Sequence, residues 1–306
     1  MAVRRSARPR RPPVKPRRSS RKEPTPERPN VVIVGFGRMG GALALGLKRS
    51  GWPVSVLPRS GASLRRAVAL GIPIADLDSL EEASICMLAV PDGAVAAVAE
   101  QVLLELGLST ALVHCAGALD LSVFGSGPMI SRRMRGSFHP LAAVSDPEDP
   151  LEGHTVALSA TGRPLMTVLK RMAEDLSLHV IEVPESKRAA YHAGAVLAAG
   201  GMVSLLASAV KAFEVAGIDE EDALRALLPL SRSALRGVEQ RGLGPGLTGP
   251  VKRGDLAVVR AHLAALPEEL GAIYRLLSLR AVELCSAHLP PETRAALDRL
   301  LRGPAR

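Results

Sequence analysis

Three glycines carry the most specific chemistry in this sequence. In "VGFGRMGGALALGL" (34–47), Gly35, Gly37 and Gly40 stand at G-x-G-x-x-G spacing, after a short apolar run and at the opening of a helical stretch. That spacing suits the pyrophosphate of a dinucleotide. Gly35 permits a tight turn, Gly37 lets the backbone approach the phosphates, and Gly40 lets helix pack on strand. Unpaired N–H groups and the positive helix end then face the anion. The whole turn, Gly35, Phe36, Gly37, Arg38, Met39 and Gly40, is therefore a candidate cofactor-binding segment. A Gly-rich turn that merely connects two elements is the competing reading.

The next strand, "VSVLPRS" (54–60), bears on which dinucleotide. An NAD site places Asp or Glu about twenty residues beyond the glycines to hold the ribose hydroxyls. Between Glu27 and Asp76 this chain has no carboxylate. Arg59 and Ser60 stand at the strand end instead, and a guanidinium with a neighbouring hydroxyl can grip a 2′-phosphate. The expected cofactor is NADP (NADPH). Arg65 and Arg66 fall one helical turn further on and read as a solvated face. "LAVPD" (88–92) closes a later strand and "HCAGALD" (114–120) follows the one after it. Ala89, Val90 and Pro91, with Ala116 and Gly117, are thereby expected at the carboxyl edge of a parallel sheet, where a flat nicotinamide ring can lie against backbone.

The elements that must position these residues follow from the hydrophobic pattern. Strands are expected at Val31–Gly35, Val54–Leu57, Ser84–Val90 and Ala111–Cys115, alternating with helices at Arg38–Arg49, Leu64–Leu70 and Asp92–Leu106. Such alternation predicts an α/β fold, a doubly wound parallel sheet with helices on both faces. "GSFHPL", "GHTVALSA" and "LHVIEV" (178–183) complete the strand series. After Pro184 strand signals stop. Glu185–Ala216 reads as one long apolar helix, Asp219 begins another, and helical character returns over 256–289 after the Gly- and Pro-rich break at 241–255. The expected domains are a disordered basic tail over 1–29, a nucleotide-binding domain over 30–183, and an all-helical substrate or dimerisation domain over 184–306.

Charge is concentrated at one end. Residues 1–29 hold eleven Lys and Arg against two Glu, while the remaining 28 basic and 28 acidic residues cancel. The body is neutral, so nucleic acid is expected as a partner only through the tail, which is too Arg- and Pro-rich to fold. Aromatic residues make up only 2% of the chain, which argues against base-stacking platforms. Three widely spaced cysteines offer neither a disulfide framework nor a metal knuckle, and a reducing cytoplasm is the expected setting. Ala189–Val210 has the length of a membrane span, but its Ala, Gly and Ser content, with Tyr191 and His192, reads as a buried central helix. No membrane is expected. The acidic group Glu214, Asp219, Glu220, Glu221 and Asp222 is accounted for by a helix start, and no metal is expected.

Taken together, "VGFGRMGG", "LAVPD", "HCAGAL", "SFHPLAAV", "KRAAYHAGAVLAAG" and "LTGPVKRGD" resemble bacterial proteins that join a Rossmann-like domain to a helical domain of unknown function of the DUF2520 type. These are relatives of pyrroline-5-carboxylate reductase, ketopantoate reductase and the beta-hydroxyacid dehydrogenases. The resemblance spans residues 31 to about 290. It implies NADP binding at the glycine turn and a second domain that often forms a homodimer, and it names no substrate; the expected activity is reduction of a small keto- or imino-acid in the interdomain cleft. His192 takes the place of a Lys on the cleft-lining helix of the related dehydrogenases, and an imidazole can give up a proton near neutrality. A packed core histidine is the alternative, and Tyr191 is a second possible donor. His139, in "SFHPL", is expected in a loop after a strand, where a His-Pro pair borders the active site of the related prephenate dehydrogenases. His114 reads as structural or as a support just behind the site. Thr248 lies in a loop that could fold over the cleft, with Lys252 and Arg253 available for a substrate carboxylate. Ala116 replaces a usual Ser and Gly200 a usual Asn, so a catalytically silent NADPH-binding sensor or partner protein is the rival reading.

Overall fold

The computed structural model describes residues 28–303, in two compact units, one ending at Ala189 and the other beginning at Ala190. The expectation of a disordered tail thus falls outside the described residues, apart from Arg28 and Pro29. Arg28 does not belong to a free tail: its Nε donates to Asp175 Oδ2 at 3.0 Å, and Trp52 Nε1 donates to the same oxygen at 2.9 Å.

In the first unit the chain runs β1 (Val31–Val34), α1 (Arg38–Arg49), β2 (Val54–Leu57), α2 (Gly61–Ala69), α3 (Leu77–Glu81), β3 (Ile85–Leu88), α4 (Val95–Leu103), β4 (Ala111–His114), α5 (Pro128–Ser131), β5 (Arg135–Leu141), β6 (Thr155–Ala160), α6 (Arg163–Asp175) and β7 (His179–Glu182). All seven strands form one sheet in the order β2-β1-β3-β4-β5-β6-β7. β1, β3 and β4 are buried on both faces, as their almost continuous apolar runs require of strands covered on two sides. One core layer packs α1 and α6 against Ile33, Met87, Val113 and Phe138, and the other packs α4 against Val32, Val34, Cys86 and Leu112.

The sheet departs from the expected all-parallel arrangement at one pair. β5 and β6 are antiparallel, from Gly136 opposite Ala160 to Leu141 opposite Thr155. A parallel return needs a crossover, usually helical. Residues 142–154 supply no helix, so the chain turns back beside β5. The amphipathic α6, which the strand pattern alone did not reveal, then provides the parallel crossover from β6 to β7.

The second unit is all helical. It comprises most of α7 (Arg188–Ala198), then α8 (Gly200–Val215), α9 (Glu220–Arg241), α10 (Leu243–Gly246), α11 (Pro250–Arg253), α12 (Leu256–Ala265), α13 (Glu268–Leu284) and α14 (Pro291–Arg302). α9 begins with Asp219 accepting from the Asp222 N–H, so the acidic residues there serve a helix start. Its core gathers Val251, Val259, Val282, Cys285, Leu289, Leu297 and Leu301, with a small cluster of Val210, Ala223 and Leu227.

The long apolar helix corrects its expectation twice. Ala199, at φ −103° and ψ −82°, interrupts it, separating α7 from α8. It is also not a buried core helix: over the 18-residue apolar window within Glu185–Val215 only 6% is buried, with Leu197 74% and Val203 67% exposed. Apolar composition says that a surface avoids water, not which surface covers it.

Candidate nucleotide-binding site

The expected phosphate turn is built as the glycine spacing requires. Gly35 follows β1 at φ +101°, a conformation L side chains rarely adopt, and a Cβ there would lie 2.5 Å from the Ala89 carbonyl oxygen. A Cβ on Gly40 would lie 2.3 Å from the Gly35 carbonyl oxygen. The turn can therefore close only with glycine at both places. Gly37 differs, because a Cβ there would meet nothing within 4 Å. Its open face lies at the start of α1, where no side chain caps the helix. Among the described residues the N–H groups of Arg38, Met39 and Gly40 thus have no acceptor, and the helix end is free to receive an oxyanion. These features fit a pyrophosphate. Phe36 takes part through its backbone alone, since its ring lies in the core, whereas Arg38 is exposed and Met39 half-buried.

Ala89, Val90 and Pro91 follow β3 and back this turn. Ala89 N–H donates to the Val34 carbonyl at 2.9 Å, and Pro91 leads into a short 3-10 turn, Asp92–Ala94, ahead of α4. Ala116 and Gly117 follow β4, both buried. The sheet order sets all three loops side by side along the carboxyl edge of β1, β3 and β4, the edge where such sheets bind ligands.

At the tip of β2 an open cleft of about 590 Å³ is lined by Val34, Leu57, Arg59, Asp76, Leu80 and Gln101 among others. Arg59 is exposed and donates to Gln101 Oε1 at 3.2 Å. Ser60 is the N-cap of α2, its hydroxyl accepting from the Ser63 N–H at 3.2 Å. Arg66, expected to be merely solvated, pairs with Asp146. The cleft also holds two carboxylates, Asp76 and Glu105, that strand-end reasoning did not anticipate. Asp76 arrives because Ile74 lies alongside Val56, beyond β2, and its carboxylate caps α3 by accepting from Ser79 N–H at 2.9 Å. Hydrogen bonds from the Ser79 side chain and backbone hold its pKa below the ordinary value.

His139 does not occupy a loop. It lies within β5, half-buried and opposite Ala157, because the antiparallel β6 extends the strand to Leu141. It shares a sheet face with Ser137, two residues before it. His114, at the end of β4, is fully buried with its ring 5.5 Å from that of Phe124. Burial and the nearby Arg188 push its pKa down to about 4. It stays neutral at physiological pH, in keeping with a structural role.

In the second unit, His192 and Tyr191 lie half-buried on α7, and Thr248 is exposed between α10 and α11. The segment around Thr248 is more ordered than a flexible flap. Lys252 Nζ donates to the carbonyls of Pro245 and Leu247, each at 2.8 Å, and Arg253 pairs with Asp255 at 2.8 Å. Both cations expected to receive a substrate carboxylate are therefore engaged within their own loop. The residue that sequence reasoning missed is Arg188, 1% exposed, whose guanidinium reaches the carbonyls of Ala116 and Gly117. An Arg opening an apolar helix reads as a solvated terminus, so nothing in the local sequence signals its burial.

Comparison with known proteins agrees with this architecture. Residues 14–132 match the Rossmann-like domain model, and residues 154–281 match the model described as Domain of unknown function (DUF2520). A Bacteroides fragilis protein provisionally named an NADP oxidoreductase is 25% identical at a TM-score of 0.67, over 83% of this chain and 98% of its own. The Thermotoga maritima protein TM1727 is likewise 25% identical, at 0.68, over 84% of this chain and 98% of its own. 1-Pyrroline-5-carboxylate reductase from Streptococcus pyogenes, 14% identical at 0.56 over 90% of this chain and 97% of its own, shares the fold. Two family models thus match this chain in tandem, each over part of it, Rossmann-like ahead of DUF2520.

Proposed function

We propose that the protein is an NADPH-dependent oxidoreductase that reduces a small keto- or imino-acid held between its two domains. The observation that carries this reading is the glycine turn, closed by Gly35 and Gly40 and open only at Gly37, with an uncapped helix start behind it. NADPH rather than NADH is favoured by Arg59 at the tip of β2, while Asp76, one of two carboxylates in the same cleft, is committed to capping α3. The name of the Bacteroides fragilis relative agrees.

When bound, the cofactor supplies a hydride to a C=O or C=N carbon. The protein's part is to orient the ring and to give a proton to the developing oxyanion or amine. His192 is the proposed proton donor, with His139 and Thr248 lining the substrate's surroundings. The exposed apolar face of α7 and α8 is proposed to be covered by a second copy of the chain rather than by lipid. The homodimer would work in the cytoplasm, with contact to nucleic acid confined to the basic tail.

The test is calorimetry of the pure protein with NADPH, NADP+ and NADH, followed by NADPH consumption across a panel of keto acids and cyclic imines. Absence of heat with every nucleotide overturns the reading. Binding of NADPH without turnover on any substrate favours the second reading, a catalytically silent NADPH-binding sensor or partner protein. That reading is supported by Ala116 and Gly200, and by Lys252 and Arg253 being engaged inside their own loop.

A further inference from the structure

Arg188 is a buried cation with an unusual set of partners. Its two terminal nitrogens reach the carbonyls of Ala116 and Gly117, each at 3.3 Å, and the hydroxyls of Ser137 and Ser159. Its Nε lies 3.5 Å from Glu185 Oε1. The other oxygen of Glu185 accepts from the Leu121 N–H at 2.6 Å. Two charged side chains from one turn, 185–188, therefore hold the loop after β4 at both ends, one through carbonyls and the other through an N–H.

The carbonyl grip has a geometric consequence. In a trans peptide the C=O and the following N–H point in opposite directions. Drawing the carbonyls of Ala116 and Gly117 inward to the guanidinium turns the N–H groups of Gly117 and Ala118 away from it. Neither N–H has an acceptor among the described residues. A buried, unanswered backbone donor is costly unless a ligand or water completes it. The sheet order says which end of a dinucleotide passes here. With the adenosine in the cleft at β2 and the pyrophosphate at the β1 turn, the remaining half extends over β3 toward β4.

We propose that Arg188 is a positioning residue: by fixing the Ala116–Gly117 carbonyls it presents the Gly117 and Ala118 N–H groups as a donor pair for the carboxamide oxygen of the nicotinamide ring. The proposal rests on the nucleotide reading above and assigns a residue and a loop to the half of the cofactor that the glycine motif does not reach. Removing the guanidinium leaves its hydroxyl partners paired. Ser137 and Ser159 are 2.8 Å apart and bond to each other, and the other oxygen of Glu185 keeps the Leu121 N–H.

The experiment compares NADPH with 2′,5′-ADP, which carries the adenosine half without the nicotinamide, using dissociation constants of the wild type, Arg188→Met and Arg188→Lys. Loss of two hydrogen bonds predicts about tenfold weaker NADPH binding in Arg188→Met. Binding of 2′,5′-ADP should be unchanged in both variants, which also reports an intact fold. Lys keeps the charge, but its single ammonium cannot hold at once the two carbonyls that one guanidinium nitrogen answers and the serine hydroxyls that the other answers, so its NADPH affinity should fall between the other two. Unchanged NADPH affinity in Arg188→Met overturns the proposal, and so does an equal loss of both ligands. A wild type that binds neither ligand removes the nucleotide reading itself, and this proposal with it.

Discussion

Substituting alanine at two glycines three residues apart separates a ligand site from a packing requirement. At Gly37, φ is −82° and ψ −164°, a region alanine adopts freely, and the added Cβ meets nothing within 4 Å. The change removes backbone freedom from the unfolded chain, which stabilises, and puts a poorer residue at the N-cap, which destabilises; each effect is worth under about 1 kcal/mol, so Gly37→Ala should fold normally. At Gly40 the Cβ would lie 2.3 Å from a backbone oxygen and 3.0 Å from the Ala89 Cβ, neither the movable end of a long side chain. Overpacking of that kind costs about 1–3 kcal/mol or more, which for a domain of this size lowers the melting temperature by roughly 2–12 °C. The discriminating assay is thermal unfolding paired with NADPH titration. Gly37→Ala should melt with the wild type yet bind NADPH at least about tenfold more weakly, because its methyl group enters the space left for the pyrophosphate; this corresponds to about 1.4 kcal/mol of binding energy. Gly40→Ala should lose stability. A Gly37→Ala protein that binds NADPH as the wild type does would refute the placement of the phosphates.

Three further outcomes are expected. Arg59→Asp should erase or reverse the preference for NADPH over NADH, read as the ratio of the two dissociation constants, and an unchanged ratio would remove Arg59 from the 2′-phosphate site. The His114 pKa of about 4 lies below that of an unfolded histidine, so the unfolded chain binds the extra proton between about pH 6.5 and 4 and stability should fall as pH drops through that window. The loss attributable to this residue is on the order of 3 kcal/mol, and His114→Gln should flatten that part of the denaturation profile. Leu197→Glu, on the exposed apolar helix, should shift the protein toward monomer in sedimentation; a wild type that is already monomeric would dismiss the homodimer.

What the sequence determined by itself was the part governed by local rules. Gly35, Gly37 and Gly40 are legible because a turn that bends the chain, admits a phosphate and closes on a helix needs three small residues at one spacing, and alternating apolar runs and helical stretches fix the sheet around it. The tertiary structure decided the rest, because distant segments set each outcome. His139 lies in a strand because β6 returns antiparallel beside it. Lys252 is engaged because α10 ends where its ammonium can reach the last carbonyls. Ala189–Val210 is apolar by composition, but whether it is covered depends on what packs there, and within the chain only Val210 is buried. Arg188 carries no local mark of importance. Its burial arises only where the ends of β4, β5 and β6 converge on the turn leading into α7, leaving a guanidinium where solvent cannot follow and backbone carbonyls must answer its charge.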